Sequence, residues 1–197
     1  MATKRGPRFK ECRRLGVNTC GHPKAMKRAE APAFNKRRKV SEYGLQLTEK
    51  QKVKAYYGIL ERQLRRYYEK ARTAEGVTGD NLIASLECRL DNMVYRIGYA
   101  NSIRLARQMV THGHILLNGR KITYPGHTVN PGDTIALTDK ASKNEQWRLN
   151  FTDRSSFALP YIAKEQERYR GSLARMPRRE EIPVQINDTM VVEYFSR

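Results

Sequence analysis

The sequence predicts an α+β protein preceded by a basic arm, on three observations. Stretches between residues 48 and 113 repeat apolar residues at helical spacing. An Asn-Gly pair flanked by short β-prone runs follows them. The first forty residues hold most of the net positive charge.

The 197 residues include 38 Lys and Arg against 20 Asp and Glu, a formal net charge of +18, which makes a polyanion the leading partner. Residues 1–40 carry 13 Lys and Arg against Glu11 and Glu30, a net of +11. Residues 41–87 net +1, residues 88–173 net +6 and residues 174–197 net zero. In the arm, Lys4, Arg5, Arg8, Lys10, Arg13 and Arg14 precede any apolar period, and Lys36, Arg37, Arg38 and Lys39 form an unbroken basic run. Charge of one sign repels itself and gains order by neutralising phosphates. No apolar run reaches the roughly 18 residues of a membrane span, and no apolar signal-peptide core opens the chain, so a cytoplasmic protein with no membrane partner is expected. Cys12, Cys20 and Cys88 are too few and too odd for a disulfide framework.

The elements follow in order. Thr48 with Gln51 reads as a capping box, after which Val53, Tyr57, Leu60, Leu64, Tyr68 and Ala71 predict one helix ending before Gly76. A second helix is expected from near Asp80, with Leu82, Leu86, Leu90, Met93 and Ile97 on its core face and Gly98 as its stop. Ser102 caps a third, with Ile103, Ala106 and Val110 inward and Gly113 ending it. Ile115-Leu116-Leu117 and Lys121-Ile122-Thr123 flank Asn118-Gly119 and predict a β-hairpin. A turn at Asn130-Pro131-Gly132-Asp133 leads into a strand at 134–137. Pro160 is expected to open a short helix running toward Gly171, and the tail at 190–195 reads as β-prone.

On the third helix Arg104, Arg107, Gln108 and Thr111 share the face opposite the apolar residues. His112 and His114 follow, Asn118, Arg120 and Lys121 sit at the hairpin turn, and Arg96 closes the preceding helix. Guanidinium forks bind phosphate oxygens, whereas Gln, Asn, Thr and His read base edges or the 2′-hydroxyl, a mixture suited to structured RNA.

At these residues the chain resembles a known family. Arg89-Leu90-Asp91-Asn92, Tyr95-Arg96-Ile97-Gly98, the run from Ala106 through Ile115, Asn118-Gly119 and Gly132-Asp133 are similar to the RNA-binding domain of small ribosomal subunit protein four. That module also occurs in pseudouridine synthases, tyrosyl-transfer-RNA synthetases and heat-shock proteins, so the flanks decide. Ser41-Glu42-Tyr43-Gly44-Leu45-Gln46-Leu47, Glu49-Lys50-Gln51-Lys52, Leu60-Glu61-Arg62-Gln63, Ile186-Asn187 and the ending Val192-Glu193-Tyr194-Phe195-Ser196-Arg197 resemble the bacterial ribosomal protein.

The resemblance implies an α+β fold in which a helical domain, residues 41–87 with 174–197, carries an inserted RNA-binding domain at 88–173, a two-helix motif plus an antiparallel hairpin sheet, behind an extended basic arm at 1–40. It implies a structural constituent of the small subunit that binds a helical junction in the 5′ domain of its ribosomal RNA and nucleates assembly. Arg37, Arg38 and Lys39 would line the channel where messenger RNA enters and bear on translational accuracy. Ribosomal proteins five and three would be neighbours, with no homo-oligomer and no cofactor. The expected RNA contacts are Arg96, Ser102, Arg104, Arg107, Gln108, Thr111, His112, His114, Asn118, Arg120 and Lys121, with Arg5, Arg8, Arg13 and Arg14 in the arm and Lys50, Lys52, Arg62, Arg65 and Arg66 on the helical domain.

Two departures limit the likeness. Some members hold zinc with four N-terminal cysteines; here Cys12, Cys20 and His22 leave a tetrahedral site one ligand short, and no metal is expected. Ala31-Pro32-Ala33-Phe34-Asn35 replaces a Gly-rich loop, so no contact is assigned to it. Arg89-Leu90-Asp91 is similar to the motif that presents the catalytic aspartate of pseudouridine synthases, but Leu90 belongs to an apolar stripe and no synthase-sized segment remains. Asp91 is expected to be a structural partner of a nearby Arg, and the chain is not expected to be an enzyme. Two helices across a tight turn also imitate a DNA-binding helix-turn-helix, against which stand the hairpin and the flanks.

Overall fold

The structure, a computed structural model, describes residues 6–27, 41–153 and 159–197. The expected contacts Arg5, Arg37, Arg38 and Lys39, and the stretch 31–35, lie outside the described residues. The described residues fall into two compact units, one within 1–83 together with 184–197 and the other within 84–183.

In the first unit, α1 (Arg8–Leu15) buries Cys12 and Leu15 and stops at Gly16, which takes φ 72°. A 3-10 turn at Pro23–Ala25 is capped by His22, whose Nδ1 accepts from Lys24 N. The single helix expected from Thr48 is two helices, α2 (Glu42–Tyr56) and α3 (Glu61–Thr73). Ser41 caps α2 by accepting from Gly44 N, so the helix starts well before Thr48, whose hydroxyl donates back to Gly44 O instead. The apolar period runs through the break because Gly58 takes φ 60° and turns the chain, which puts Ile59, off the helical stripe, at 0% exposure.

The tail is a helix, α9 (Asp188–Ser196), and not the β-prone segment expected. Asn187 caps it, accepting from Met190 N. Its side chains are matched to helices: Gln46 donates to Glu193 at 2.9 Å, Phe195 stacks on Tyr68 at 4.7 Å, and Tyr194 lies under the Lys50 ammonium at 4.0 Å. Packing partners thus override the β propensity of Val191 and Val192.

The expected helix from Asp80 to Gly98 is also divided, into α4 (Thr78–Glu87) and α5 (Leu90–Ile97). Backbone partners from a distant loop break it. Leu90 N donates to His127 O, Asp91 N to Pro125 O, and Val129 N to Cys88 O, all at 2.8–3.1 Å, while Arg89 is extended at ψ 142°. Gly98 ends α5 at φ 103° and Ser102 caps α6 (Ile103–Thr111), both as expected.

The strands β1 (Ile115–Leu117), β2 (Arg120–Lys121), β3 (Thr134–Leu137), β4 (Ile162–Glu165) and β5 (Arg170–Leu173) form one antiparallel sheet in the order β2-β1-β3-β5-β4. Asn118 and Gly119, at φ 51° and 76°, turn the first hairpin. The helix expected after Pro160 is the β4–β5 hairpin, because β5 pairs with the open edge of β3, Ile135 opposite Gly171. A β-carbon at Gly171 would sit 2.7 Å from the Ile97 side chain, so glycine is what lets α5 lie on the sheet. Between β3 and β4 run two helices that no pattern announced, α7 (Asp139–Ser142) and α8 (Glu145–Asp153).

Candidate nucleic-acid interface

Helix α6 buries Ala106, Met109 and Val110 and leaves Arg104 and Gln108 exposed one turn apart, with His112 exposed where the helix ends. Gly113 joins this face to the hairpin. It takes φ 69°, and a β-carbon there would meet Lys121 Cε at 2.0 Å, so the lysine stem crosses directly over the end of α6. Arg120 and Lys121 on β2 are exposed. The exposed side of α6 thus carries Arg104, Gln108 and His112, with Lys121 crossing its end and Arg120 beside it on β2, cations together with groups able to hydrogen-bond.

Other expected contacts brace this surface. The Ser102 hydroxyl accepts from Leu105 N, and Thr111 donates back to the α6 carbonyls of Arg107 and Gln108. Asn118 donates to Asp133 Oδ1 at 2.7 Å and accepts from Thr134 N at 2.9 Å, which locks the turn. Arg107 turns inward, its side chain 12% exposed, to Asp91 at 3.4 Å. Asp91 is fully buried and also takes a bidentate contact from Arg89, at 3.0 and 2.7 Å, the structural role expected of it. Burial pushes its carboxyl up while Arg89, then Arg107, draw it back.

Arg96 departs from its expected place on the polar surface. It is buried and gives both Nε and Nη2 to Glu87, whose Oε1 also accepts from Tyr161 at 2.8 Å. A carboxylate inside a core needs a cation, and Glu87 beside the stripe residue Leu86 was the signal available. Burial, and then Glu87, push the Tyr161 hydroxyl far above its ordinary range.

In the first unit, Lys50 is likewise withdrawn: it is buried and paired with Glu61 at 2.8 Å, and Lys52 pairs with Glu49. Arg62, Arg65 and Arg66 are exposed on α3, Arg8 and Arg14 are exposed on α1, and Arg13 is half-buried. Cys12 lies 3.4 Å from the Thr19 hydroxyl, and among the described residues no three His, Cys, Asp or Glu side chains gather as metal ligands.

Two groups beside His114 escaped sequence reasoning. The Trp147 ring lies 5.0 Å from the imidazole, and Lys140 is close enough to act on it electrostatically. Burial, followed by His112, Lys140 and Lys121, holds His114 below the ordinary histidine range. No pattern pointed to either because α7 and α8 were not anticipated.

Comparison with known proteins matches these features. Residues 3–87 fit the family described as Ribosomal protein S4/S9 N-terminal domain, and residues 88–135 fit the S4 domain, the segment that builds α5, α6 and the first hairpin. The two matches define an RNA-binding protein of the S4-domain class. The small ribosomal subunit protein uS4 of Finegoldia magna is 48% identical, uS4B of Clostridium acetobutylicum 46% and uS4 of a Geobacillus species 42%, each over the whole of both chains. The chain belongs to the family of small ribosomal subunit protein uS4, as a structural constituent of the ribosome that binds ribosomal RNA.

Proposed function

We propose that the chain binds a helical junction in the 5′ domain of small-subunit ribosomal RNA and nucleates assembly of the subunit. In this reading residues 88–173 act as the RNA-reading insert, residues 41–87 with 174–197 as the helical frame, and residues 1–40 as an electrostatic arm. The observation that carries it is Lys121 lying across Gly113, which joins α6 and the hairpin into one face. Arg104, Arg120 and Lys121 neutralise phosphates, and Gln108 and His112 read 2′-hydroxyls and base edges. Arg62, Arg65, Arg66, Arg8 and Arg14 supply further phosphate contacts. Arg37, Arg38 and Lys39 face messenger RNA where it enters, with ribosomal proteins five and three alongside, and through that contact bear on accuracy.

The test is binding of the full chain to 5′-domain RNA across a salt series, with an unrelated folded RNA and a DNA duplex as competitors. The junction RNA is expected to win at every salt. Arg104→Ala with Arg120→Ala should weaken binding and flatten the slope of log K against log salt by about 0.7–0.9 for each phosphate that is no longer neutralised. Equal competition by all three polymers, with the double variant unchanged, would reject this surface.

A further inference from the structure

We propose that His112, His114 and Trp147 form an aromatic ledge on which an unpaired base of the bound RNA stacks, extending the α6 surface onto α8. The inference deepens the RNA-binding reading and rests on it. The three rings stand in file: His112 and His114 are 6.1 Å apart between centroids, and His114 and Trp147 are 5.0 Å apart. His112 is exposed and the other two are half-buried, so ring surface reaches solvent at each step.

The ledge is held rigidly. Trp147 sits in the first turn of α8, where Asn144 accepts its backbone N–H. One turn further on, Phe151 is buried and stacks on Tyr99 at 5.1 Å, which pins the helix to the core. Cations stand near it: Lys121 and Lys140 act on His114, while Arg148, next in the chain to Trp147, lies 4.7 Å over the Tyr169 ring and donates to its hydroxyl. Burial and the neighbouring cations lower the pKa of His114, which favours the use of its ring face. Aromatic rings with cations nearby are the chemistry that takes a splayed-out base and tracks the backbone beside it.

Trp147 is the only tryptophan of the chain, so its emission reports on the ledge alone. Saturating the full chain with 5′-domain RNA is expected to quench that emission and shield the indole from acrylamide. Trp147→Ala should weaken binding about five-fold or more, as loss of one stacked base does, and Trp147→Phe should recover most of it. The slope against salt should not change, because stacking releases no counterions. RNA binding with unaltered emission overturns the proposal and leaves the RNA-binding reading standing, and so does a Trp147→Ala chain that binds like wild type or loses slope as well as affinity. Should Trp147→Ala fail to fold, the wild-type emission decides alone. Absence of binding by the wild-type chain removes both readings.

Discussion

Arg89 and Arg96 face carboxylates that no solvent reaches, Asp91 and Glu87, and removing either partner strands a charge. Asp91→Ala is therefore expected to cost roughly 3–5 kcal/mol of stability, read as a lower denaturation midpoint. Glu181 behaves differently, being half-buried at the surface. The paired Arg175 guanidinium, helped by the backbone N–H of Arg178, holds its carboxyl at about 2. Because the folded value lies below the unfolded one, this contact stabilises fully above the ordinary glutamate range and fades as pH falls from there toward 2. Arg175→Ala should return the Glu181 titration, followed by NMR, toward 4.5. Burial raises the Cys88 thiol to about 12, so iodoacetamide at neutral pH should leave Cys88 unmodified until the chain is unfolded, as peptide mass spectrometry would report. Legibility at this scale divided by distance. Arg104 and Gln108 could be placed outside from helical spacing alone. The burial of Arg96 and Lys50 depended on Glu87 and Glu61, nine and eleven residues away, and spacing is silent on such pairs.

Among the elements, α6 and the first hairpin were readable because each signal is local: a serine cap, an apolar period, a glycine stop and an Asn-Gly turn. The two helices that proved double were broken by features outside the period. Gly58 adopts a backbone conformation that the apolar pattern does not encode, and the 125–129 loop claims the backbone groups around Cys88 and Leu90. The sequence around helix α9 reads as β-prone because its aromatic partners on α2 and α3, Tyr43 and Tyr68, lie far along the chain, although its cap Asn187 is local. Gly113 gives the sharpest expectation at this scale. Gly113→Ala must strain a left-handed backbone and displace Lys121, so it should lower stability by about 1 kcal/mol or more and weaken RNA binding at the same time. Thermal melting and the salt series read the two effects separately.

For the whole molecule, charge and fold are apportioned unevenly. The first forty residues hold +11 of the +18, whereas residues 88–173 net +6. Replacing Lys36, Arg37, Arg38 and Lys39 by glutamine should flatten the salt dependence while preserving the preference for junction RNA over an unrelated fold, since backbone attraction carries no sequence information. Equal loss of preference and of slope would assign selectivity to the arm.

The division of the chain also sets an order in time. The second unit is one continuous stretch, 84–183, and all of its strands and buried ion pairs exist once that stretch has been made. The first unit draws on two separate stretches, and α2 and α3 receive their partners Glu193, Tyr194 and Phe195 only after the whole second unit has been made. During translation the later-made unit is thus the first to be completed, and the earlier-made one waits. A nascent chain that stalls before residue 188 has all of the second unit and only part of the first, with Tyr68 and Lys50 lacking their α9 partners, which is the state that chaperones and proteases would meet.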